Sequence, residues 1–319
     1  MSGGTFAVML APSVVSLVLA ATGNRLARAL PPPTAVRLLT LAGLVTALAT
    51  GFVLAVIGFV AFAQLPAVAA LGAWSARVVA DRQPVPLGVG AACAVACTAL
   101  MAMAMRRFVS AGRDLTLAEA ACRRLGPGTD GLVVLSDEAP DAYVLPGLTG
   151  RIVVSTGMLR AMPGPERRVL LAHEAAHLRH RHYLYVQVAE LSAAANPLLR
   201  PLAQAVGSAV ERWADEAAAA AVGDRAVVAR AVARASLATQ SAGSALLVDS
   251  GARMALRMSG GAIALARTRA MLSPAPQPPR TLTLAVSVLV LAGAAAAIDT
   301  GTHTEHLFDV AHATVAMHQ

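Results

Sequence analysis

Apolar positions dominate the first third of the chain and return near its end, with a more polar stretch between. Four runs have the length and hydrophobicity of membrane spans: residues 5–22, 38–63, 86–105 and 281–298, the second able to continue past Pro66. The intervening segment changes its period. RDLTLAEAACRRLG (113–126) reads as a helix ending at Gly126, and GLVVLSD, DAYVLPG and GRIVVSTGML as short strands. Pro163 and Pro165 open a helix that carries RRVLLAHEAAHLRHRH (167–182) and is expected to run on through Glu190. Asn196–Pro197 breaks or kinks that run, and a further helix over 199–222 should end at Gly223.

Composition agrees with the pattern. Of 319 residues 56% are hydrophobic and 14% charged, and mean hydropathy is +0.62. A soluble domain averages about a quarter charged residues, so this is a mainly α integral membrane protein with a soluble portion. The first run lacks the basic leader of a signal peptide, since Arg25 and Arg28 follow it, and is expected to be a retained span. Cys93, Cys97 and Cys122 make neither a disulfide framework nor a zinc–thiolate cluster.

The net charge of +8 comes from arginine alone, because the chain has no lysine. Aromatic residues are scarce and the arginines flank apolar runs, which favours a topological role over direct nucleic-acid binding. Arg25, Arg28 and Arg37 follow span one, Arg106, Arg107 and Arg113 follow span three, and Arg267, Arg269 and Arg280 precede span four. The opposite side has only Arg77 and Arg82. The asymmetry predicts external termini and a cytoplasmic segment. The expected organisation is a membrane region at 1–105 with three spans, a cytoplasmic domain at 106–280, a fourth span at 281–298 and a short external tail at 299–319. The proline-rich SPAPQPPR (273–280) is the expected hinge into span four.

The chemistry lies in His173-Glu174-Ala175-Ala176-His177. Two histidines at i and i+4 share one helical face and can reach one Zn2+ ion. The glutamate beside the first can act as general base. A catalytic zinc needs a third protein ligand, and VERWADEAAA (210–219) offers Glu211, with Asp215 one turn on to accept a hydrogen bond from a ligand histidine. The plain alternatives are a surface helix with chance histidines and a solvated acidic face. Glu190, 13 residues past His177 on the same helix, would lie roughly 20 Å away. His180 and His182 are expected to be solvated among the arginines. The strand 150–157 before the helix is either an edge that holds a substrate backbone or an ordinary core strand.

Together, DAYVLPGLTGRIVVSTGML, LLAHEAAHLRHRH, ANPLLRPL, ERWADEAAAAAVGDR and the arginine-bearing segment before span four resemble the BlaR/MecR-type antirepressor membrane zinc peptidases over nearly the whole chain. The resemblance implies a cytoplasmic α+β gluzincin domain between spans three and four of a bacterial plasma-membrane protein. It places His173, His177 and Glu211 on zinc, makes Glu174 the base, and sets Asp215 behind a ligand histidine. It also implies a polypeptide substrate, foremost a cytosolic winged-helix repressor of the penicillinase-repressor type. The β-lactam-sensing members carry a large external penicillin-binding domain, whereas about 20 residues follow Ile298 here. Two other readings stand beside it. One is a membrane quality-control or prenyl-protein peptidase of the HtpX kind, which commonly has spans between the two motifs, whereas 184–210 is a poor span. The other is a non-catalytic zinc-binding receptor, against which the retention of Glu174 argues. In the tail, Thr302 and Glu305 are a candidate capping box for a short surface helix. Its histidines at 303, 306, 312 and 318 raise the alternative of an external metal or pH sensor.

Overall fold

The computed structural model describes residues 3–126, 128–147, 150–242, 261–274 and 280–317, so most of the expected hinge and His318 lie outside the described residues. The described residues are mainly α-helical with one small sheet. Among the described residues four helices are long and apolar enough to cross a membrane: α1 (Gly3–Ala29), α2 (Pro32–Ala63), α5 (Leu87–Leu125) and α12 (Arg280–Ala316). Between α2 and α5 lie two short helices, α3 (Pro66–Gly72) and α4 (Ala76–Arg82). Spans α1, α5 and α12 all pack on α2. Gly90 of α5 makes one of these approaches possible, since a Cβ there would lie 1.9 Å from Ala61 Cβ. Elsewhere α5 is little covered, and Val95, Met101, Met105 and Phe108 are exposed, as side chains facing lipid would be.

Two helices are longer than the sequence pattern suggests. The predicted third span and the helix over 113–126 are one 39-residue helix, α5. The change from apolar to charged residues at Arg106 does not interrupt backbone hydrogen bonding, and no proline intervenes. Likewise α12 continues through the tail. Thr302 bonds back to the Asp299 carbonyl within that helix instead of capping a new one. The tail therefore does not form a separate surface helix. Phe308 lies in an aromatic cluster with Phe59 and Trp74, and His312 Nε2 is 2.9 Å from the Gly72 carbonyl.

The sheet has the order β1 (Leu132–Leu135), β3 (Arg151–Ser155), β2 (Ala142–Leu145), with β1 parallel and β2 antiparallel to β3. Successive side chains point to opposite faces. Val153 packs with Ala118 and Cys122 of α5, and Val154 packs on the other side with Val169 and Leu170. The same α5 that leaves the bundle thus covers one face of the sheet. Because β3 is central, it has no free edge on which to hold a substrate. That role is available instead to β2, an outer strand among the described residues.

Ser155 caps α6 (Thr156–Ala161), and α7 (Gly164–Arg179) follows with Pro165 in its first turn. The helix does not run on through Glu190. It stops at Arg179, Arg181 takes a left-handed conformation (φ 51°), and α8 (His182–Ala195) starts in a new direction. A single 3-10 turn, Pro197–Leu199, joins α8 to α9 (Arg200–Val222) as a helical hairpin, and Gly223 at φ 77° ends α9. The hairpin leans on the bundle. Asn196 at its tip donates to Ser16 Oγ at 2.8 Å and Thr50 Oγ1 at 3.2 Å, hydroxyls inside α1 and α2. Leu199, Leu202 and Val206 share a core with Leu19, Val36 and Leu39. Neither α8 nor α9 is among the helices long and apolar enough to cross a membrane, and their turn is lodged among the spans. α10 (Arg225–Ala242) and α11 (Gly261–Leu272) pack together, and α10 covers α7.

Candidate metal centre

The site forms where α7 crosses α9. On α7 the buried positions include Val169, Leu170, His173, Glu174, Ala176 and His177, the three-and-four spacing of one helical face. On α9 the buried face includes Val210, Glu211, Ala214, Asp215 and Ala218. Burial of these faces against each other brings the polar side chains into contact. His173, His177 and Glu211 each offer a ligand atom, and all three atoms lie within 4.8 Å of one another. His173 Nε2 is 3.1 Å from His177 Nε2 and 3.6 Å from Glu211 Oε2, and His177 Nε2 is 3.7 Å from Glu211 Oε1. All three side chains are less than a tenth exposed.

This donor set fits zinc: two imidazole nitrogens and one carboxylate converge, the chemistry of a three-ligand site with a position left open. Among the described residues neither buried Glu211 oxygen has a hydrogen-bond partner, and the closest countercharge is Arg267 Nη1, 2.9 Å from Oε2, so Oε1 is left unsatisfied at some cost. A cation held between Glu211 and the histidines would remove that cost. Asp215 Oδ1 lies 3.0 Å from His173 Nδ1, the ring nitrogen turned away from the cluster. Glu190 is exposed on α8 and is not in the cluster.

The electrostatics follow from burial and pairing. For His173, burial disfavours the charged ring, but hydrogen bonds to Asp215 and Glu211 outweigh it and raise the pKa to about 10 in the metal-free protein. For Glu174, burial raises the carboxyl to about 7 against the pull of His173. Burial lowers His177 to about 4. Glu211 and Asp215 also pay for burial, yet both are held below the usual carboxylate range, principally by Arg267.

Arg267 was not apparent as a site residue in the sequence, where it reads as a topological charge. It is 4% exposed, donates from Nε to Asp215 Oδ2 at 2.8 Å and from Nη2 to Oδ1 at 2.5 Å, and brings Nη1 to 2.9 Å from Glu211 Oε2. It lies 52 residues past Asp215 on another helix, so no local spacing connects them. His182 also departs from expectation. It is fully buried, and its Nδ1 lies 3.0 Å from His177 Nδ1. The turn at Arg181 swings it back under α7, whereas an unbroken helix would have left it among the arginines. His180 is half-buried and stacks on Trp213, with ring centroids 4.8 Å apart. Trp213 also carries Arg37 of α2 over its ring, and Arg212 donates to the Ala27 carbonyl at the end of α1. The site helix is thus tied to the turn between the first two spans.

A groove of about 970 Å3 lies between α5, the sheet and α7, lined by Leu115, Glu119, Gly150, Ile152, Ala175 and Leu178 among others, and none of the cluster residues lines it. No curated protein and no solved structure matches the chain. The segment that carries the last third of α5, the sheet, α7 and α8, residues 113–195, which holds His173, Glu174 and His177 and ends before Glu211, matches the sequence model of Peptidase family M48.

Proposed function

We propose that this protein is a membrane-embedded zinc endopeptidase. The observation that carries the reading is the convergence of His173, His177 and Glu211 beside a buried glutamate, Glu174, in a chain with four helices able to cross a membrane. A zinc ion held there would polarise the scissile carbonyl and make the attacking water more acidic. Glu174, raised to about 7, is poised to take a proton from that water and pass it to the leaving amine. Asp215 holds His173 through Nδ1, so that Nε2 faces the cluster. The outer strand β2 offers backbone groups to an extended polypeptide.

The arginine distribution supports an active site on the cytoplasmic side of a bacterial plasma membrane. By resemblance, the leading substrate is a cytosolic winged-helix repressor of the penicillinase-repressor type, cleaved at a specific site in response to a signal. A second reading, turnover of membrane proteins by a quality-control peptidase, draws on the lodging of the α8–α9 turn among the spans. In detergent, the zinc-loaded protein should cleave a polypeptide. Glu174→Gln should keep zinc and lose cleavage by at least about a hundredfold. Full activity in that variant would remove the assignment. Comparing a purified winged-helix repressor with a misfolded membrane protein as substrate separates the two readings.

A further inference from the structure

The two candidate ligand histidines are held from behind by different partners. His173 Nδ1 faces the Asp215 carboxylate at 3.0 Å, whereas His177 Nδ1 faces His182 Nδ1 at 3.0 Å. We propose that His182 is the positioning residue of the second metal ligand, a neutral acceptor that fixes the tautomer and ring orientation of His177. The proposal rests on the metal-centre reading above.

His177 Nε2 points to His173 Nε2 and to Glu211, so it is the nitrogen available to a metal. A neutral imidazole that ligates through Nε2 carries its proton on Nδ1. That proton points at His182 Nδ1, which must then accept, so His182 carries its own proton on Nε2. That Nε2 is buried and has no hydrogen-bond partner among the described residues. The ring has little freedom to turn. It meets His177 edge-on at 4.8 Å and 85°, and Trp213 packs on it with centroids 4.8 Å apart. Ligand histidines usually donate their second N–H to a carboxylate, a backbone carbonyl or water. An uncharged imidazole accepts less strongly than a carboxylate, so the two ligands are supported unequally. His182 also packs against Trp213 and His180, so leucine, of similar volume, is the substitution that removes the acceptor while keeping most of the packing.

Three substitutions separate positioning from packing, read as zinc affinity by chelator competition with the full-length protein in detergent. His182→Leu removes the acceptor and should weaken zinc about 10- to 100-fold. His182→Asn places an amide oxygen near the Nδ1 position and should stay within about threefold of the parent. His182→Asp supplies a charged acceptor and should bind more tightly than the parent. In a His177→Ala background, His182→Leu should have no further effect, since the group it acts through is gone. The proposal is overturned if His182→Leu binds zinc like the parent, or if His182→Asn weakens it as much as His182→Leu. If His177→Ala itself leaves zinc affinity unchanged, the metal-centre reading fails first, a distinct outcome.

Discussion

Arg267 holds two buried carboxylates at once, and its removal would leave Asp215 and Glu211 without a countercharge in the metal-free protein. Breaking a buried pair from one side costs about 3–5 kcal/mol. Arg267→Ala should therefore lower the melting temperature of the metal-free protein sharply, and saturating zinc, which supplies positive charge at Glu211, should recover part of the loss. A melting temperature equal to the parent's without zinc would contradict this role. His173 carries a second expectation. With its pKa raised to about 10 it is protonated at neutral pH, and a metal ligand must be neutral. Zinc binding must then release that proton, so apparent affinity rises with pH, by roughly tenfold per unit for one proton, until the pKa is approached. Calorimetry in two buffers of unequal ionisation enthalpy would show the release as a difference in heat. Equal heats would show that no proton leaves. Glu211 and Asp215 were legible because one turn of helix relates them. Arg267 and His182 were not, because a distant helix brings the first and an unsignalled turn brings the second.

At the scale of elements, ends with local chemistry could be read and ends without it could not. Gly126 and Gly223 close helices as expected, and Asn196–Pro197 ends α8 where proline removes a donor. The three strands fall where short apolar runs flanked by Gly, Asp and Pro place them, though their order, with β3 in the centre, depends on pairing that no single strand encodes. The stop of α7 at Arg179 has neither glycine nor proline to announce it. There Arg181 bears a left-handed backbone that costs a side-chain-bearing residue about 1–2 kcal/mol. Arg181→Gly should therefore keep or raise thermal stability, and Arg181→Val should lower it by more than the wild-type strain, because branching at Cβ worsens the clash. A stable valine variant would show that the turn is not held as described. From sequence the long α5 and α12 each read as two pieces because polarity changes along them, yet a helix propagates through such a change.

Over the whole molecule, the spans and the candidate site form one structure: α8 and α9 rest on α1 and α2, and α5 passes from bundle to sheet without a break. The proposed orientation has a direct check. A reporter inserted after Gly147, in the connection between β2 and β3, should read cytoplasmic, and one fused after Gln319 should read external; the reverse pattern would remove cytosolic substrates from consideration. The tail histidines do not form a metal group among the described residues, and His312 is engaged with the last residue of α3. Central to the account is the claim that His173, His177 and Glu211 hold the metal, and bound zinc per molecule in purified variants tests it most directly. His173→Ala, His177→Ala and Glu211→Ala should each come away from dialysis with little zinc, while the parent, Glu174→Gln and Glu190→Ala retain about one ion each. Retention of zinc by Glu211→Ala together with its loss from Glu190→Ala would contradict the account.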